Sequence, residues 1–270
     1  MTQEIFWSAS SLGILCVFQG KRTKPEKKTS QTAFQRLTDR SDKKEVMKMT
    51  DYIYESLTEY DIDKAKRYDL NFGGARQVTV SGYEGEKLRI RLASNTLATL
   101  QSDFKVKIDD VRSGIDVDVS RKNGMPEAVV KDAVTIFVQL PSKYIKKVEM
   151  AVNAQTVEVY SIECDSLELN IRTENVVLEN VVGAVEIDCN LDMNVDCRSL
   201  KGEIAINQVS ATSRICVPSD MVFTAVTKGI GTNIYFEKDG QAAEAFDSPG
   251  AENVIQLNGM KSELFICTSK

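Results

Sequence analysis

From Tyr68 onward, apolar and polar residues alternate in short runs. Val78 and Val80 alternate, then Leu88, Ile90 and Leu92, then Phe104, Val106 and Ile108. Ile115, Val117 and Val119 form the next run, and Val134, Ile136, Val138 and Leu140 another, stopped by Pro141. A period of two is that of a strand with one buried face. The segments SGYEG (81–85) and RKNGMP (121–126) carry the residues of turns.

After Pro141 the pattern becomes a repeat. The starts Val148, Leu167, Val185, Ile204 and Phe223 align at steps of 19, 18, 19 and 19 residues. A second apolar site recurs eleven residues on, at Val159, Leu178, Ile215 and Ile234, and slips by one in the third unit, onto Val195 or Cys197. Gly183 and Gly202 precede two of the starts, with Asp165 in the same place of another, as tight corners require. Two short strands per turn cannot bury their apolar face alone, whereas stacking turns about 4.8 Å apart pairs every backbone and makes one core. The fold expected is therefore mainly β, a single-stranded β-solenoid or β-helix-like stack, preferred over an antiparallel sandwich. After Phe236 the repeat gives way to a small, polar loop (238–253), and Val254–Leu257 with Leu264–Cys267 read as a closing hairpin.

The first 65 residues follow other patterns and form a separate N-terminal region, with the β-domain over 66–270. Residues 5–18 (IFWSASSLGILCVF) are mostly apolar but shorter than the roughly 20 residues of a membrane span. Glu4 precedes them and lysines follow, the reverse of an export signal. A packed or capping segment is expected there, with weak membrane contact as the second reading and a disordered stretch as the third. Lone Trp7 suits either burial or an interface. Residues 20–40 read as a basic linker. Asp42 and Glu45 fit a capping box, and Val46, Met49, Ile53 and Leu57 follow at helical spacing, so a short amphipathic helix is expected over about 43–59.

Charge sharpens this division. The net charge is −5 over 270 residues. Residues 21–48 hold ten Lys/Arg against four Asp/Glu, and residues 148–236 five against thirteen. The repeat would repel phosphate backbones, which speaks against nucleic acid as a partner. The chain has no histidine, so no Ser-His or Cys-His nucleophile can form within it. The six cysteines form no CxxC pair and read as reduced, apolar core residues of a cytoplasmic protein. Cys197 and Cys216 fall in adjacent turns, near enough for a disulfide if oxidised, though packing as thiols is the reading preferred. Gly73-Gly74 and Gly229-Ile-Gly231 are too sparse for a phosphate cradle and read as turns.

The candidate interaction face is a ladder. Glu149, Glu168 and Glu186 share one place in three successive turns, and Asn170, Asp188 and Asn207 another, two residues on. Stacked like charges are destabilising. A solvated outer face is the plainest reading, with a basic partner or Ca²⁺ as functional ones.

The order VTIFVQLP (134–141), YIKKVEMAVNAQTVEV, repeated strand pairs, GIGTNIYFE (229–237) and a terminal NVIQLNGMKSELFI resembles a bacterial family of unknown function labelled putative adhesin. The resemblance spans roughly residues 68–270. It implies a β-helix-like fold, a bacterial source and no catalytic residues. Many members of that family are exported or tethered, whereas this chain lacks their signal, and a cytoplasmic location with optional membrane contact is expected. The function expected is a non-enzymatic structural or interaction protein, binding a protein partner or itself, with no cofactor or metal. A bactofilin-like assembling scaffold is the alternative, and a polysaccharide-acting enzyme a more distant one, for which Tyr160 and Tyr235 are the exposed aromatics.

Overall fold

A computed structural model describes residues 51–122 and 124–269. The apolar segment 5–18, the basic linker, Cys16 and the first half of the expected helix lie outside the described residues. The rest is mainly β. In chain order the strands are β1 (Tyr54–Asp61), β2 (Lys66–Tyr83), β3 (Lys87–Ser94), β4 (Phe104–Val111), β5 (Gly114–Arg121), β6 (Thr135–Pro141), β7 (Ile145–Tyr160), β8 (Glu163–Arg172) and β9 (Asn175–Glu179). They continue as β10 (Val181–Asp188), β11 (Met193–Cys197), β12 (Leu200–Val209), β13 (Thr212–Pro218), β14 (Phe223–Ile230), β15 (Asn233–Lys238), β16 (Gln241–Ala243), β17 (Asn253–Met260) and β18 (Glu263–Ser269). Two short helices, α1 (Leu100–Asp103) and α2 (Glu127–Ala133), interrupt the first half.

The strands form one large sheet built around two parallel ladders. The first runs β5, β2, β7, β8, β10, β12, β17, β14. The second runs β6, β2, β7, β9, β11, β13, β18, β15. The long strands β2 and β7 belong to both, and their pairing shifts between Phe72 and Ala75, at Gly73-Gly74. Antiparallel strands flank the ladders: β4 lies on β5, β3 on β6, β1 on β3, and β16 on β15.

Alternation explains the core. Ile115, Tyr68, Val148, Leu167, Val185, Ile204 and Ile255 lie opposite one another down the first ladder and are buried. Ile136, Val78, Val157, Val176, Val195, Ile215 and Ile266 do the same down the second. Both columns enter a single hydrophobic cluster. The expected alignment of Val148, Leu167, Val185 and Ile204 is therefore the observed register. The second apolar column is corrected: Val159 and Leu178 share a column with Cys197, whereas Ile215 lies two residues out of it, opposite Val195 in the column of Val157 and Val176.

The fifth repeat is placed differently. β12 pairs not with β14 but with β17, so Ile204 faces Ile255, and Ala225 rather than Phe223 follows in that column. The expected closing hairpin is not a hairpin: β17 sits between β12 and β14, and β18 between β13 and β15. The physical reason is side-chain volume. Ile255 and Leu257 fill the space over Ile204 and Ile206, whereas Ala225 and Thr227 suit the last strand, beyond which the described residues add no further parallel strand. Phe246 closes that end, with its ring 6.0 Å from Phe223 and 4.9 Å from Phe236.

The expected helix over 43–59 is also corrected, for its described part. Residues 54–61 (YESLTEYD) form strand β1. Tyr54, Ser56, Thr58 and Tyr60 are half-buried, and Glu55 and Glu59 reach Arg91 and Arg89 of β3 at 2.9 Å. Pairing and charge complementarity outweigh the helical spacing, and Ile53 and Leu57 of the helical stripe stay exposed.

The thiol reading is corrected at one pair. Cys216 and Cys267 lie opposite each other on β13 and β18 and form a disulfide. Cys197 is not the partner of Cys216, because Asp196 is the residue facing it. Alternation then turns Cys197 into the core and Cys216 outward.

Candidate interaction surface

The outer face of the first ladder carries the expected acidic column. Glu149, Glu168 and Glu186 are opposed in register, and the column extends through Asp69, Asp116 and Asp109. Six carboxylates in line would repel, but lysine and arginine stand among them. Lys147 lies 2.9 Å from Glu149 and 2.6 Å from Glu168, and Arg67 lies 3.6 Å from both Asp69 and Glu149. Lys107 pairs with Asp109. Hydrogen bonds to Glu168 and then Glu149 hold the Lys147 ammonium above its ordinary range.

The second predicted column is Asn170, Asp188 and Asn207, and it continues to Asn258. Asn207 Nδ2 donates to Glu186 at 2.6 Å and to Asp188 at 2.8 Å, and its Oδ1 accepts from Asn258 Nδ2 at 2.8 Å. Asn170 is exposed beside Asp188. These six residues thus share one face in two adjacent columns, where Lys147 bridges Glu149 and Glu168, and Asn207 bridges Glu186 and Asp188. Among the described residues no group of three or more carboxylates and thiols is placed to hold a metal ion.

A second surface lies at the bend joining the ladders. Ser210, Lys261 and Gly231 stack there with φ of 54°, 53° and 67°. Just before the bend, Val209, Met260 and Ile230 lie opposite one another on β12, β17 and β14. They are 46%, 46% and 77% exposed, and Leu191 on the loop beside them is 45% exposed. Large apolar side chains exposed in a column are unusual on a soluble protein.

Beyond the bend, Arg214, Phe265 and Tyr235 form a parallel column on the second ladder. The Tyr235 and Phe265 rings stack at 5.1 Å, and the Arg214 guanidinium lies 5.9 Å from the Phe265 centroid while pairing with Glu237. A shallow cleft runs alongside, lined by Glu174, Asp192, Asn194, Thr212, Arg214 and Phe265. A second follows at Ser210, Lys261 and Glu263. Of the two predicted aromatics, Tyr235 is exposed. Tyr160 is half-buried, and burial, with Glu158 next, pushes its hydroxyl up to about 12.

Sequence reasoning missed this surface. Val209, Met260 and Ile230 lie far apart in the chain and meet only because β17 enters between β12 and β14. The exposed apolar residues on strands of known facing were the available signal.

No family model matches the chain, and no curated protein does. Among solved structures it is similar to a putative cell adhesion protein from Clostridium sporogenes, at 13% identity and TM-score 0.39, over 80% of this chain and 99% of that one. It is also similar to a putative adhesin from Bacteroides fragilis, at 10% identity and TM-score 0.35, over 80% and 98%. A third is a putative adhesin from Parabacteroides distasonis, at 9% identity and TM-score 0.31, over 78% and 96%. Likeness at this level carries no functional inference.

Proposed function

We propose that the chain is a non-enzymatic interaction protein of the adhesin type: a β-solenoid whose rigid surface binds a protein partner or a second copy of itself. On this reading β8–β9, β10–β11 and β12–β13 are successive coils, and the two parallel ladders are their two sides. The observation that carries it is the exposed column of Val209, Met260 and Ile230 beside the Phe265–Tyr235 stack. Interface centres are enriched in apolar, aromatic and arginine side chains on well-ordered backbone. The acidic face is the weaker candidate, since Lys147, Arg67 and Asn207 already answer its carboxylates.

Catalysis is not favoured. The chain has no histidine, and burial raises the thiols of Cys164 to about 11 and Cys197 to about 12, away from the reactive range. End-to-end assembly has one observation in its favour, the outer edge of β14 and its exposed Ile230. Against it, β16 and Phe246 occupy that end, and β4, β3 and β1 lie antiparallel at the other.

The test compares the wild type with a Val209→Glu, Met260→Glu double variant. Light scattering over a concentration series reads self-association, and pull-down from bacterial extract reads other proteins. We expect binding by the wild type, loss in the variant and an unchanged melting temperature. Equal binding by both proteins, or none by either, removes this reading.

A further inference from the structure

The C-terminal coil is out of order. β17 and β18 enter between strands that precede them in the chain, and β14 and β15 have no other parallel neighbours among the described residues. The connecting chain returns around the end of the stack. β16 pairs with β15, Asp247 accepts the Ala225 N–H at 3.2 Å, and Ser248 N–H donates to the Phe223 carbonyl at 2.7 Å. This coil also supplies Met260 to the exposed column and Lys261, Glu263 and Phe265 to the clefts. Removing it would take apart the whole surface at the bend.

One covalent bond ties the coil down. Cys216 on β13 and Cys267 on β18 are directly opposed, with Cα atoms 4.5 Å apart, and enclose a sequence separation of 51 residues. Cys216 is on the outer face and partly exposed, whereas Cys267 is buried. Cys189 and Cys197 are buried and Cys164 is half-buried, and none of the three is paired. The only cross-link among the described residues therefore sits on the one coil that is inserted.

We infer that the Cys216–Cys267 disulfide is a redox latch: oxidised, it holds the inserted coil between β13 and β15, and reduced, it frees that coil to leave. The chemistry is thiol–disulfide exchange with a dithiol. A dithiol thiolate attacks Cys216 Sγ, the S–S bond breaks, and Cys267 leaves as a thiolate. The second thiol then attacks the mixed disulfide and releases Cys216, so the dithiol gains a disulfide while the protein gains two electrons and two protons. The functional consequence, a surface that binds only when oxidised, rests on the interaction reading above. The latch does not.

Hydrogen exchange of the folded full chain, with and without dithiothreitol, tests it. Alkylation and mass spectrometry first confirm the bond in the oxidised protein, and its absence there overturns the inference. Loss of a cross-link closing a loop of this length should speed local opening roughly a hundred-fold or more. We expect that acceleration in β17, β18, β14 and β15, with β7, β8 and β10 unchanged. Uniform acceleration along the chain would mean a general staple and would overturn the latch, as would no change at all. A Cys216→Ser, Cys267→Ser variant should match the reduced protein. If that variant fails to fold, reduction of the folded wild type decides alone. Partner binding is then measured in both redox states. Local exchange without binding in either state keeps the latch and removes the interaction reading.

Discussion

Gly202 sits in β12 where the backbone of β10 passes closest. Its φ is 135°, and a Cβ there would collide with the carbonyl oxygen of Gly183. Strain and overlap act together, so Gly202→Ala should cost roughly 2 kcal/mol or more, read as a lower urea midpoint at constant slope. A different residue-scale term is the pair of Asp110 on β4 with Lys66, whose side chain is only 6% exposed. The hydrogen bond from Lys66 holds the Asp110 carboxyl below its ordinary 3.8. A depressed carboxylate stabilises the fold above its unfolded pKa and loses that contribution as pH falls through the folded value. The wild type should thus weaken below about pH 4. Asp110→Asn should be less stable at neutral pH by roughly 1–2 kcal/mol, a figure discounted for the partial exposure of Asp110, and should show less of the acid-induced loss. An equal acid slope in both proteins would deny the pair this role.

At the scale of elements, the sequence was legible wherever side chains alternate into the core. Val148, Leu167, Val185 and Ile204 could be aligned because each is the inward residue of its strand. Two elements were not legible. In β1, YESLTEYD satisfies both a helical stripe and a period of two, and only Arg89 and Arg91 of the neighbouring strand decide between them. In β14, Phe223 looks like a repeat start, but the strand's place depends on what lies beyond it. Ala225 and Thr227 are small because this strand ends the core, and a ring from the segment read as a small, polar loop, Phe246, packs on Phe223 and Phe236 there. Phe246→Ala should therefore loosen the end first. We expect a loss of roughly 1–3 kcal/mol, with faster hydrogen exchange in β14 and β15 before the rest. Even loss across the sheet would contradict this placement.

For the whole molecule, the acidic ladder was predicted residue by residue and is in register, yet its neutralisation was not. Lys147 and Arg67 lie two positions along their strands from Glu149 and Asp69, hence on the same face, and facing plus register are both needed to see the pairing. The apolar column was only partly legible, since outward apolar residues can be read from each strand but the adjacency of Val209, Met260 and Ile230 is created by chain order. The disulfide also bears on the compartment. Disulfides persist in oxidising compartments and are rare in the reducing cytosol, so the redox state of Cys216 and Cys267 in the cell is the observation that bears on the cytoplasmic expectation. Among the described residues no helix is long and apolar enough to cross a membrane.

The insertion of β17 and β18 also sets a race during synthesis. When β14 and β15 leave the ribosome, the edges of β12 and β13 are still open, and the 19-residue spacing offers Phe223 to Ile204 as a ready neighbour. That pairing is local and quick, whereas the native one must wait for strands not yet made. The order of strands in the fold therefore requires that β14 and β15 not occupy the edges of β12 and β13 when β17 and β18 arrive.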